Sequence, residues 1–166
     1  MVKRFFRHLV SLPVLLHRKF PAALLAEIET AIRDSEQHHH GEIRFAIETA
    51  LPLSAIFRRV TARQAAIQAF SRLGVWDTQE NSGVLIYLLL ADHDLEIVAD
   101  RGIAEKVGQV EWDEIARVME QHFKMGNFRR GALEGIARVT RLLATHFPPQ
   151  TRNPNELPNQ PVIIKR

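Results

Sequence analysis

At 166 residues the chain is long enough for one hydrophobic core and short for two, and 46% apolar with 25% charged residues excludes a disordered or fibrous class. The absence of cysteine excludes disulfides, thiol nucleophiles and Cys-ligated zinc or iron–sulfur centres. The net charge of +3 sits at the ends, on Lys3, Arg4, Arg7, Arg18, Lys19, Arg152, Lys165 and Arg166; the body between is mildly acidic, which argues against a nucleic-acid-binding face.

Residues 1–20 form a basic N-terminal segment, KRFFRH followed by LVSLPVLL. That apolar run contains Pro13 and ends in His17, Arg18 and Lys19 rather than small residues, so it does not read as a secretion signal. It also falls short of the roughly 20 residues of a spanning helix. Two readings stay open: the segment packs on the domain, or it lies as a basic amphipathic stretch on anionic lipid.

Leu24, Leu25, Ile28, Ala31 and Ile32 recur at helical spacing after Pro21, which predicts an amphipathic helix over residues 22–37. Beyond Gly41 the pattern changes to alternation. Ile43, Phe45 and Ile47 fall on one face and Glu42, Arg44, Ala46 and Glu48 on the other, a strand with one core face and one partly polar face. His38, His39 and His40, between these elements, diverge along the backbone and read as a solvated turn. Thr61 and Gln64 stand at capping-box spacing before Ile67, Phe70 and Leu73, and Gly74 closes that second helix.

The run Gly83-Val-Leu-Ile-Tyr-Leu-Leu-Leu90 suits a central strand covered on both faces. Ala91, Asp92 and His93 turn the chain into a strand in which Leu95, Ile97 and Ala99 alternate with Glu96, Val98 and Asp100, forming a hairpin. A helix follows from about Val110, with Trp112, Ile115, Val118, Met119 and His122 on one stripe; His122 reads as a core or boundary residue. The last helix runs from about Asn127 to Phe147. Its Gly131 and Gly135, one turn apart, predict close packing against a neighbouring element. From Pro148 the prolines and asparagines mark an extended, mostly unpacked tail, whose Val162-Ile-Ile164 is suited to adding to the sheet edge of another chain.

The order α-β-α-β-β-α-α predicts an α/β protein with a small mixed sheet and helices on both faces, an α/β/α sandwich. Residues 21–147 form its domain and residues 148–166 its tail. The strands from Glu42 and Gly83 are expected to be parallel through a helical crossover. Pairing Leu90 or Ala91 with Asp94 sets Asn81 opposite Ile103 or Ala104 and gathers Asp77, Glu80, Asn81, Asp100 and Glu105 at one rim, with Arg101 and Gly102 among them. Carboxylates, an amide oxygen and carbonyls on a loop suit a hard cation, Ca2+ or Mg2+. The alternative is a rim of solvated turn residues.

The stretch from Glu80 to Gly102 resembles the core of the TPM-domain family, known from thylakoid-lumen photosystem-repair, bacterial and nematode relatives. The resemblance rests on Asp77 to Asn81 leading into GVLIYLLL, a short acidic turn and EIVADRGI. The GEIRFAIE strand and the Trp112–Met125 helix extend it to about residues 22–147. The sequence departs from the family's pattern where Ser82 separates Asn81 from Gly83, and where Asp100-Arg101-Gly102 replaces a glycine-rich turn. The resemblance implies an α/β sandwich, acid-phosphatase activity in some members, divalent-metal binding in others, and auxiliary roles beside membrane complexes.

The sequence contains no G-x-S-x-G, P-loop or H-E-x-x-H motif. The reading that follows is a short bacterial TPM protein without signal peptide or membrane anchor. It is expected to be cytoplasmic and peripheral to the inner membrane, to bind a cation at the rim or a protein partner, and to work beside a membrane-associated assembly without catalysis or with weak catalysis. No organic cofactor and no nucleic-acid partner are expected. The alternative is a metal-dependent phosphatase, with Asp100, Asp77 or Glu80 as metal ligands and Arg101 clamping phosphate.

Overall fold

The computed structural model describes Arg4, His8 and residues 13–150 and 154–165. A short helix α1 (Pro13–Lys19) leads into α2 (Ala22–Ser35) and strand β1 (Glu42–Glu48). Helices α3 (Leu53–Phe57) and α4 (Ala62–Arg72) carry the chain to β2 (Gly83–Leu89), which is followed by β3 (Asp94–Ala99) and the single turn α5 (Arg101–Ala104). Helices α6 (Gln109–Lys124) and α7 (Phe128–His146) precede a last strand, β4 (Val162–Ile164). The capping box at α4 is formed on both sides: the Thr61 hydroxyl accepts from Gln64 N–H and the Gln64 side chain accepts from Thr61 N–H.

The strands make one four-stranded sheet in the order β3-β2-β1-β4. The β1–β2 pair is parallel, as the crossover through α4 predicts, and β2–β3 is antiparallel. On one face Ile43, Phe45 and Ile47 of β1 join Val84, Ile86 and Leu88 of β2 in a core with Phe20, Ile28, Trp112, Met119 and Ile136. The other face places Ala46, Leu85, Tyr87 and Leu89 against Ile56, Ala65, Ala66 and Ala69. The sandwich is therefore α/β/α. Between α6 and α7 the glycines have the expected role: a Cβ on Gly131 would lie 2.6 Å from the Phe123 ring, and one on Gly135 would collide with the Met119 sulfur.

Four expectations change. The hairpin pairs Leu89, not Leu90 or Ala91, with Asp94, because the turn spans Leu90–His93 and His93 adopts a left-handed φ of 53°. Asn81 is consequently opposite Gly102, whose N–H donates to the Asn81 carbonyl at 3.2 Å. Residues 154–164 are not loose: Leu157 and Ile164 are buried, and Val162–Ile164 pairs in parallel with Ala46–Glu48 of the same chain. The polar face of β1 is buried along its whole length, and His39 is fully buried rather than solvated. Burial holds the His39 imidazole neutral, with its pKa pushed down to about 4.

Candidate functional site

The rim at the start of β2 is built by two tight backbone approaches. A Cβ at Gly83 would overlap the Val75 carbonyl, and one at Gly102 would meet the Glu80 carbonyl and stand 2.9 Å from that of Asn81. Only glycine lets these segments close, so the residues before β2 and after β3 are pressed together. Ser82, the extra residue between Asn81 and Gly83, is buried. Its N–H donates to the Thr78 hydroxyl at 2.8 Å, while Asn81 takes a left-handed φ of 53°.

Asp100 ends β3 and caps α5. Its N–H donates to the Gly83 carbonyl at 2.9 Å and its Oδ1 accepts from Arg101 N–H at 2.7 Å. Its Oδ2 is buried and accepts no hydrogen bond among the described residues. Across the gap, Asn81 Oδ1 accepts from Arg101 Nε at 3.0 Å, so amide and guanidinium meet next to the residue that caps α5. Asp100, Asn81, Arg101 and Gly102 are thus brought together.

The other three expected ligands are placed differently. Glu80 turns outward: its carboxylate accepts from Gln150 Nε2 at 3.0 Å and pairs with His40 Nε2 at 2.8 Å. The Gln150 amide first, and His40 with it, hold the Glu80 carboxyl below its ordinary range. Asp77 is exposed in a turn closed by its own N–H on the Gly74 carbonyl, and Glu105 is exposed at the end of α5. Among the described residues no three His, Asp or Glu side chains converge as a metal-ligand set. What fits a cation at the rim is a smaller set: the orphaned Asp100 Oδ2, the Asn81 amide oxygen and nearby carbonyls.

The chain matches the TPM domain over residues 20–142. It belongs to the TPM-domain family. The TPM domain is similar to the NMR structure of the BA42 protein from the psychrophilic bacterium Bizionia argentinensis, at 31% identity and a TM-score of 0.76, over 86% of this chain and 94% of that one. It also shares its fold with the N-terminal domain of a P. gingivalis protein, at 17% identity and a TM-score of 0.61, over 76% and 77% of the two chains. No curated protein matches it.

A second polar constellation of the TPM domain escaped the sequence reading. Residues 154–164 form a strap across the polar face of β1. Glu42 Oε2 accepts from Leu157 N–H at 3.1 Å, and Glu36 Oε2 accepts from Asn159 Nδ2 at 2.8 Å. Arg44 Nη1 donates to the carbonyls of Pro158 and Gln160. Burial, and then the Glu42 charge, push the Glu36 carboxyl up to about 8; burial likewise raises Glu42. The available signal was charge on a strand face, Glu42, Arg44 and Glu48, that the helices could not solvate.

At the opposite end of the sheet, Tyr87 Oη donates to Glu48 Oε2 at 2.6 Å, both residues being fully buried. His8 Nδ1 accepts from Leu51 N–H at 2.9 Å, and Asp92 Oδ2 lies 3.1 Å from His8 Nε2 and 2.7 Å from Arg4 Nε. Of residues 1–12, the two described side chains therefore pack on the domain. Among the described residues no helix is long and apolar enough to cross a membrane.

Proposed function

We propose that this TPM domain is a non-catalytic or weakly catalytic module that binds a divalent cation, Ca2+ or Mg2+, at the rim between Asn81 and Asp100. It meets a protein partner and acts beside a membrane-associated assembly, at the cytoplasmic side of the inner membrane. The observation that carries the reading is Asp100 Oδ2, a buried carboxylate oxygen with no donor among the described residues, because a buried acceptor left without a donor is costly and a cation removes that cost. Asn81 and the Glu80 carbonyl, held against Gly102, supply further oxygens. His17 and Arg18, exposed in the last turn of α1, support contact with anionic lipid.

The test is a Ca2+ and Mg2+ titration followed by NMR, with phosphate-ester hydrolysis assayed in parallel. Saturable shifts at Asn81 and Asp100–Gly102 without turnover are expected. Asp100→Asn, which keeps a cap for α5 and loses the charge, is expected to weaken binding roughly tenfold or more. No shifts at those amides would sink the reading. A second reading, metal-dependent hydrolysis of phosphate esters, draws on Arg101, whose guanidinium stands at the same rim. Metal-dependent turnover lost in Asp100→Asn would favour it.

A further inference from the structure

At the hairpin end of the sheet, away from the rim, a cavity of about 500 Å3 opens between the α1–α2 junction and the α6–α7 turn. Three rings hold these segments together. Phe20, between α1 and α2, packs edge-on against Phe123 and Phe128, with ring centroids 6.1 and 5.5 Å away, and Phe123 stacks on Phe128. The core therefore fixes the walls, and the lining is basic: Arg18, Lys19, Arg129 and Arg130 face a single carboxylate, Glu27. Glu27 serves one of them, accepting from Arg129 Nε at 2.6 Å, while Arg130 Nε is no nearer than 3.8 Å to Glu134. Lys19 has uncharged partners, donating from Nζ to His93 Nε2 at 2.8 Å and standing 5.0 Å from the centroid of the Phe128 ring. Burial pushes its ammonium below the ordinary pKa, and no carboxylate among the described residues opposes this. Arg129 and Arg130 stand in the first turn of α7, which holds no acid, so the helix dipole adds to their charge rather than offsetting it.

We propose that this cavity holds a phosphate group, that of an anionic phospholipid headgroup at a membrane surface, a source that rests on the anionic-lipid contact proposed for α1. Arginine forks pair with two phosphate oxygens at once and a lysine adds a compact charge, so the lining matches a phosphate better than a carboxylate. Met125 argues for a lipid over a soluble phosphate. It is 64% exposed and directly precedes Gly126 of the cavity wall, and an apolar side chain beside a basic recess suits the boundary between headgroups and acyl chains. No residue of the Asn81–Asp100 rim takes part, so the cation reading there stands or falls separately.

Co-sedimentation of the full chain with vesicles of equal parts phosphatidylglycerol and phosphatidylcholine tests this, with phosphatidylcholine alone as the uncharged surface. Binding is expected to the first and not to the second. Arg129→Gln with Arg130→Gln should weaken it roughly tenfold or more. Arg58→Gln with Arg72→Gln removes the same charge from exposed positions on the helices across the sheet and should change it by less than about threefold. Inorganic phosphate titrated into the chain and followed by 1H–15N NMR separates the sources, with saturable shifts expected at Lys19 and Asn127–Arg130. Vesicle binding that falls equally in both double variants, or in neither, overturns the inference and leaves the lipid contact of α1 standing. Phosphate shifts at the cavity without vesicle binding keep the phosphate site, transfer it to a soluble ester and overturn the lipid contact. Neither vesicle binding nor phosphate shifts at the cavity overturns both. Vesicle binding that depends on Arg129 and Arg130 supports the headgroup whether or not the free ion shifts these amides.

Discussion

Ile43, Phe45 and Ile47 on one face of β1 meet a layer of helices, while Glu42, Arg44 and Glu48 on the other meet a few specific polar partners, and both faces are buried. On the helical face the contacts are many and interchangeable. Phe20 lies against Phe45, with ring centroids 6.5 Å apart, and against Phe123 at 6.1 Å. On the polar face each group depends on one or two atoms: Arg44 on two strap carbonyls, Glu42 on strap N–H groups, Glu48 on the Tyr87 hydroxyl among its contacts. One face supplies stability and the other fixes where the strap lies.

The largest effect that bears on this contrast is Phe45→Ala, which empties a fully buried ring position and should cost about 3–5 kcal/mol in urea unfolding. A loss below about 1 kcal/mol would mean the helical face can collapse into the gap, a degree of plasticity native cores seldom show. Tyr87→Phe should cost less, about 1–3 kcal/mol, because it removes one donor from a buried carboxylate and changes almost no volume. If Tyr87→Phe were neutral, Glu48 would be held by its other contacts and the polar face would be less dependent on single partners than described.

The same contrast explains what could be read in the residues alone. The central strand was legible because Gly83–Leu90 is apolar throughout, and the α6–α7 contact because Gly131 and Gly135 have no other use in a helix. Both are local signals. The hairpin register was not legible, since it hangs on the left-handed φ of His93, one backbone dihedral that shifts every pairing from Asn81 to Gly102. Nor was the strap. Its partners in β1 and after α2 lie more than a hundred residues away in sequence, and a stretch such as Asn-Glu-Leu-Pro-Asn-Gln-Pro carries no periodicity to announce that it is packed. At the rim, Asp100 and Asn81 were found because a hairpin joins them. Asp77, Glu80 and Glu105 are gathered with them by the same pairing, but the exposed ends of turns let those side chains point elsewhere.

The smallest effect, per unit of pH, separates the strap from the rest of the fold. Glu36 has a folded pKa near 8, above its ordinary 4.5, so between those values the folded chain holds the proton more tightly and stability falls as pH rises. His39 has a folded pKa near 4, below its ordinary 6.5, so between those values the unfolded chain holds the extra proton and stability rises with pH. From about pH 4.5 to 6.5 the two slopes oppose one another; from 6.5 to 8 only that of Glu36 remains. Urea melts should therefore show little change from these two groups in the lower window and a decline in the upper one, at most about 1.4 kcal/mol per pH unit, the limit for one proton. Glu36→Gln should abolish the upper decline and uncover the rise due to His39 below it. If Glu36→Gln melts keep the decline between pH 6.5 and 8, the titrating group lies elsewhere and the carboxyl beneath the strap is better solvated than its burial implies.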